Sequence, residues 1–391
     1  MSRNTTPGFR RLPRVADQMT AAHVDLVTQS LAAERSGDAA RALELHASVP
    51  AFKKRSRHNV LLTQLASLGD DLPDWVWARW IAYQAIRCED QDTDTGKIQR
   101  LALKYVLETF HDDQLADCHA NGGDPVQVFA RVASESWLFH QLLVHEFAGL
   151  DRFVDELATG RLAEHAALAR SWVGAPLRGY GIGVPQPGGL LRVEDLAAGS
   201  WTDVLDLGAR ATVGESGGGW VLGRLVPSGV DDLLMFDAPP IAVPERVARD
   251  VAEAPKPWAR VTEALAEGRL VERHLMRTDL ELVTDVPSID LLRVGTPPAD
   301  LERVTAQLRA GRDEIPRAAF RILRRAADRA LPESDAPHVA AAVLQPTAHA
   351  DARRMLVREG QHDVWTGWAA LVHEPARGLL LDLAEAGRAA G

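Results

Sequence analysis

The chain has 391 residues, 46% of them hydrophobic and 25% charged, which excludes a disordered or fibrous protein and allows two or three domains with sizeable cores. Its 44 basic and 54 acidic residues leave a formal charge of −10, so nucleic acid and anionic lipid are repelled except where basic residues cluster. Two cysteines, Cys88 and Cys118, exclude a disulfide framework and a four-thiolate zinc site, and reduced, inert thiols are expected.

Residues 1–16 read as a basic, proline-containing arm with no acid before Asp17. No apolar stretch follows its arginine pair, as a secretory or twin-arginine leader requires, so a cytoplasmic location is expected. No apolar run approaches the roughly 20 residues that span a bilayer. From residue 17 to 173 the pattern is helical. Val24, Val27 and Leu31 repeat at i, i+3, i+7, and Asp38 can cap a second helix carrying Ala42, Leu43 and Ala47 before Pro50. The segment LAAERSGDAARALELHASVP (Leu31–Pro50) resembles the helix-turn-helix of a tetratricopeptide repeat, with Gly37, Ala42-Leu43 and Pro50 at matching offsets. The resemblance covers one repeat, with no second copy at a period of about 34 residues, and implies a helical hairpin rather than a solenoid. Helices are predicted over 59–68, 73–88 and 97–110, and a longer helical stretch over 125–157. Together they read as a bundle.

Turn signals crowd between residues 174 and 244: PQPGG at 185–189, AAG at 197–199, GESGGG at 214–219 and PSG at 227–229. The runs between them (Tyr180–Val184, Leu190–Val193, Trp201–Leu207, Trp220–Val226, Leu233–Phe236) have strand length and predict a small antiparallel barrel or sandwich. Residues 245–391 return to helix, around 299–310, 317–331, 335–345, 348–358 and 363–389, while 278–295 is ambiguous between strand and coil. The expected fold class is α+β, mainly α: an N-terminal helical bundle, a small β module and a C-terminal helical region. Abundant Ala and Arg beside five lysines resemble the composition of proteins from high-GC bacteria. The whole chain is similar to uncharacterised proteins of that kind, a likeness that implies no activity.

Gly214-Glu215-Ser216-Gly217-Gly218 fits G-x-S-x-G and resembles the GDSGG signature of trypsin-like proteases, with Glu215 for the usual Asp. A nucleophile elbow needs a helix after the serine, and Trp220-Val221-Leu222 reads as strand. Every histidine before Ser216 lies in the helical region, away from where a β-barrel triad would place it. A glycine hairpin turn is therefore expected. Asp90, Asp92 and Asp94 alternate as in a calcium loop, but the positions that need Gly and Glu hold Thr95 and Leu101. Glu108-x-x-His111 has the spacing of carboxylate di-iron sites. Its one counterpart, Glu359-x-x-His362, contains Gly360 and lies elsewhere, so polar residues on helix faces are expected. Trp75, Trp77 and Trp80, like Trp365 and Trp368, read as core.

Two basic features stand out. Lys53, Lys54, Arg55 and Arg57 form a run between helices, and Arg317, Arg321, Arg324 and Arg325 line one face of a helix. Both are candidates for anion or nucleic-acid contacts, with a solvated face the alternative. The β module does not help the nucleic-acid case, because residues 178–237 hold four arginines against eight acids. No catalytic residue and no cofactor is expected, and Glu108 and His111 are the metal candidates. The expected function is a non-enzymatic protein-interaction, regulatory or adaptor role in a bacterial cytoplasm, with a protein partner and possible self-association. The alternatives are a nucleic-acid-associated factor and an enzyme of unrecognised class, metal-dependent around Glu108 and His111.

Overall fold

Local caps define the first helices. The Thr20 hydroxyl accepts from the His23 backbone N–H at 3.3 Å and opens α1 (Ala21–Ser36). Gly37 closes it in the left-handed region at φ 80°, where a Cβ would also lie 2.8 Å from Cβ of Arg161. Asp38 then accepts from the Arg41 N–H at 2.9 Å and starts α2 (Ala39–Ala47), so the two helices pack as a hairpin. The computed structural model describes residues 19–50, 52, 57–69, 72–87, 93–213, 219–272, 275–276, 281–309, 314–358 and 360–389.

The N-terminal part continues with α3 (Arg57–Leu68), α4 (Asp74–Ile86), α5 (Asp94–Phe110), α6 (Asp112–Ala120) and α7 (Pro125–Glu135). After it come α8 (Trp137–Gln141), a π-helical turn over Leu142–Glu146, α9 (Gly149–Glu156), α10 (Gly160–Glu164) and α11 (Ala166–Ser171). α4 is the central helix: residues 75–81 are all buried, including Trp75, Trp77 and Trp80, as core readings of the tryptophans require. The stretch expected to be one helical run over 125–157 breaks twice. Ser136 takes extended backbone, caps the Phe139 N–H at 3.2 Å and bridges to Met276, so a local side-chain acceptor ends one helix and starts the next. Phe147 caps the π-helical turn, and Ala148, at φ 57°, opens α9.

The sheet contains β1 (Arg178–Gln186), β2 (Leu190–Asp195), β3 (Ser200–Leu205), β4 (Trp220–Gly223), β5 (Leu225–Pro227), β6 (Leu234–Phe236) and β7 (Ile241–Ala242), with a short α12 (Ala209–Val213) after β3. Its order is β5-β6-β3-β2-β1-β4-β7, and every pairing is antiparallel except β3 with β6. The expected closed barrel or sandwich is thus one open, mixed sheet. Its edges explain this: β5 ends in Pro227 and β7 is two residues flanked by Pro240 and Pro244, so neither offers a row of N–H donors to close the sheet. One face buries Tyr180, Leu191, Val193, Val204, Val221 and Phe236 in a core of its own. The other sends Leu205, Leu222, Val226 and Met235 into the main helical core. The strand expected over 220–226 is interrupted at Arg224, whose side chain turns inward and is 1% exposed.

Beyond the sheet, α13 (Glu245–Ala252) presses on β1 at Gly179, where a Cβ would meet the Ala248 carbonyl at 2.0 Å. There follow α14 (Pro257–Ala266), α15 (Ser288–Gly295), α16 (Pro298–Arg309), α17 (Ile315–Ala327), α18 (Ala336–Val343), α19 (Pro346–Met355), α20 (His362–Ala369) and α21 (Ala376–Ala389). The ambiguous 278–295 stretch is resolved at its C-terminal end, where α15 starts after extended Pro287. One buried core runs from Ala33 in α1 to Ala384 in α21. The chain is α+β and mainly α, and no helix among the described residues is long and apolar enough to cross a membrane.

Candidate functional site

A buried guanidinium must find acceptors or destabilise the fold, and Arg79, 4% exposed in the middle of α4, finds four. Its Nε donates to the Asp237 carbonyl at 3.0 Å, Nη1 to the Leu282 carbonyl at 3.3 Å, and Nη2 to the Phe236 carbonyl at 2.7 Å and to Asp285 Oδ1 at 3.0 Å. The Trp75 ring lies 5.3 Å away and covers the cation. One side chain thereby ties the central helix to the end of β6 and to the loop before α15.

The network continues through Asp237. Its Oδ2 accepts from Gln141 Nε2 at 2.7 Å and lies 2.8 Å from His145 Nε2. Burial pushes this carboxyl upward, but the His145 and Gln141 hydrogen bonds and the charges of His145 and Arg224 outweigh it and leave it below its ordinary value. Gln141 also accepts from Arg224 Nε at 2.9 Å. Arg224 donates further to the Ala175 carbonyl and, at 2.6 Å, to Glu146 Oε1, and its guanidinium lies 5.8 Å from the Trp258 ring. Gln141, His145 and Glu146 sit at or within the π-helical turn, the kind of helix irregularity that recurs where side chains must converge.

Two spaces flank this network. A small cavity of about 60 Å³ is walled by Arg79, Tyr83, Trp137, Gln141, Asp237 and Glu281, and the buried indole Nε1 of Trp137 has no hydrogen-bond partner. An open groove of about 690 Å³ lies between the helical part and the sheet, lined by Tyr105, Glu146, Arg178, Arg224, Lys256 and Trp258 among others. Arg224 and Glu146 reach it from the network, so the groove's central charges are held by the same bonds that hold the core.

A second buried cluster fixes the α1–α2 hairpin. Glu34, 1% exposed, accepts from Gln84 Nε2 at 2.9 Å and from Arg87, and its Oε1 lies 2.9 Å from His58 Nε2. The other ring nitrogen of His58 lies 3.2 Å from the Tyr83 hydroxyl. Burial raises the Glu34 carboxyl, yet the His58 and Gln84 hydrogen bonds and the charges of Arg87 and His58 bring it down to about 2. Burial holds the His58 imidazolium down in turn.

The sequence-derived candidates separate. Glu108 is exposed and forms an ion pair with Lys104 at 3.7 Å, whereas His111 is buried with Nδ1 2.9 Å from Glu272 Oε1. Glu108 and His111 thus have different partners, and the described residues contain no group of three or more His, Cys, Asp or Glu side chains able to hold a metal ion. Asp94 pairs with Lys97 at 2.7 Å, while Asp90 and Asp92 lie outside the described residues. So do Ser216, Glu359, the basic arm over 1–16, and Lys53, Lys54 and Arg55. Arg57 opens α3.

The arginine stripe divides. Arg321 donates to the Gly295 carbonyl and, at 2.8 Å, to the Thr296 hydroxyl, and Arg325 donates to the Val294 carbonyl at 3.0 Å. These two satisfy the carboxyl end of α15, where free carbonyls attract cations. Arg317 pairs with Glu314 at 2.9 Å and Arg324 lies 4.0 Å from Asp328, each with 69% of its side chain exposed.

Sequence reasoning missed Arg79, Gln141, Asp237 and the inward Arg224. One signal was present: a lone arginine in the tryptophan-rich run DWVWARWIAY, on a helix with no polar face. No family model matches the chain, and no curated protein or solved structure matches it significantly.

Proposed function

We propose that this protein is a non-enzymatic interaction or adaptor protein of the bacterial cytoplasm, and that a partner docks in the groove beside Trp258. The observation that supports this reading is the groove itself: Tyr105 and Trp258 line it above the buried Arg224, and tyrosine and tryptophan are among the residue types that dominate binding energy at protein interfaces. Arg224 and Glu146 are immobilised by the buried network, so little side-chain entropy is lost when a partner arrives. The tetratricopeptide-like hairpin, anchored through Glu34, belongs to the same reading as scaffold.

A photo-crosslinking residue at exposed Ala259, on the groove wall, tests the proposal in cells of a high-GC bacterium. A discrete protein adduct is expected from Ala259 and none from Val184, which is 62% exposed and away from the groove. Equal labelling from both positions, or no adduct from either, would overturn the reading.

A further inference from the structure

We infer that the groove takes an acidic peptide segment with an apolar residue beside its carboxylates. This rests on the docking reading above and names the chemistry of the partner. The whole chain carries −10, yet the charged side chains lining the groove are Arg178, Arg224 and Lys256 against one carboxylate, Glu146. Glu146 is already engaged by Arg224 at 2.6 Å, with the Trp258 Nε1 at 3.4 Å. Burial raises this carboxyl, but the hydrogen bond and charge of Arg224 outweigh it and keep it ionised. It therefore neutralises a cation of the wall and is not free to recruit a basic partner. Arg178 holds Asp195 at 2.9 Å from the outer side, and Lys256 stands exposed at the mouth.

The backbone adds the same sign. Lys256 is the N-cap of α14 and offers it no side-chain acceptor, so the positive end of the helix faces the groove alongside Pro257, Trp258 and Ala259. Apart from Thr262 the rest of the wall is mostly apolar, with Tyr105, Pro176, Leu177 and the Trp258 ring. A volume of about 690 Å³ falls within the range of about 300–1,000 Å³ typical of ligand clefts, enough for a short segment and too little for a folded surface. Arg224 is buried and engaged by Glu146, and Arg178 is engaged by Asp195. A basic segment would therefore face exposed Lys256 and the positive end of α14, and a purely apolar one would leave Lys256 without a partner.

The test uses the full chain and a display library of random short peptides, selected on the wild type and counter-selected on Trp258→Ala. Groove-dependent peptides are expected to carry net negative charge beside an aromatic or aliphatic residue. In fluorescence anisotropy at low salt they should bind Lys256→Glu about ten-fold or more weakly, the size of effect that like-charge juxtaposition produces, and bind Arg324→Glu unchanged. Lys256 is exposed, so its reversal leaves the fold intact and stands as a test independent of Trp258. Groove-dependent peptides that are neutral or basic, or that ignore Lys256→Glu, would overturn the acidic partner while the docking site stands. A selection with no Trp258-dependent peptide would sink both.

Discussion

Glu34 is a buried carboxylate and Asp206 a half-buried one, and the protein holds them on opposite sides of their ordinary range. Glu34 comes down to about 2. Asp206, just after β3, goes up to about 6. Burial raises both, so burial does not decide the outcome. What differs is the company. Around Glu34 stand Arg87, His58, Gln84 and Ser30, each within hydrogen-bonding distance. Asp206 has one backbone donor, the Gly208 N–H at 2.9 Å. Its neighbour across the seam is another carboxylate, Asp285, brought there because the Asp285 N–H and the Thr284 hydroxyl both donate to the Leu207 carbonyl. Arg79 engages Asp285, so that cation is committed elsewhere. The contrast teaches that a buried acid is stabilising only where the fold supplies donors in number.

The largest effect expected is from Glu34→Ala. It leaves Arg87, His58 and Gln84 facing an empty, buried site, and removing one partner of a buried ionic cluster costs about 3–5 kcal/mol. Urea unfolding at neutral pH measures it, and a loss under about 1 kcal/mol, the ordinary worth of a surface pair, would break the contrast. The pH dependence follows from the lowered carboxyl. Its contribution is fully present above the ordinary value of 4.5 and is lost as pH falls toward about 2. The stability gap between wild type and Glu34→Gln should therefore close over that window.

Asp206→Asn should move the other way. Asn keeps an oxygen for the Gly208 N–H and removes the charge that burial and Asp285 oppose. A raised carboxyl stabilises the fold only while protonated: its contribution is present below 3.8 and is lost as pH rises through about 6. The variant should match the wild type near pH 3.8 and exceed it above pH 6. The expected gain is about 1–2 kcal/mol, less than the full displacement implies because the side chain is half-buried and partly screened. Thermal melting across pH 4–8 reads it. A variant less stable than the wild type at pH 7 would mean that the Asp206 charge is supported, and the two carboxylates would no longer differ.

These regions were unequally legible in the sequence. The turn signals at 185–189, of which Pro185 and Gln186 extend β1, and at 197–199, the strand runs and the core tryptophans were readable because each rests on local signals: glycine, alternation and apolar bulk. Asp38 was readable as a cap for the same reason. The site was not. The meaning of Arg79 depends on Asp237 and Asp285, more than 150 residues along the chain, and no window over α4 contains them. Arg224 was counted as one basic residue of a strand, yet it breaks that strand to reach Gln141 and Glu146. The arginine stripe was visible at helical spacing, but spacing does not tell a solvated cation from one capping the end of α15. Closure of the sheet was equally hidden. Strand lengths and turn spacing are common to barrels and open sheets, and the outcome turned on prolines at two short edges.

The smallest effect sharpens the contrast by adding an exposed carboxylate. Asp94 also titrates below its ordinary value, through the hydrogen bond and charge of Lys97 at 2.7 Å. Sixty-one per cent of its side chain is exposed, so the field of Lys97 passes through water that carries salt. At 1 M ionic strength the screening length falls to about 3 Å, and a long-stemmed ion pair has little else to hold it together. Carboxyl-detected NMR titration should then find Asp94 back at its ordinary value. Glu34 should stay depressed, because the carboxylate itself, its donor Gln84 and most of His58 are withdrawn from the salt solution even though Arg87 is partly exposed. If both carboxyls rose together in salt, Glu34 would be held by long-range charge rather than by its buried bonds. The α1–α2 hairpin would then owe its seating to apolar packing alone, and Glu34→Gln should cost little at any pH.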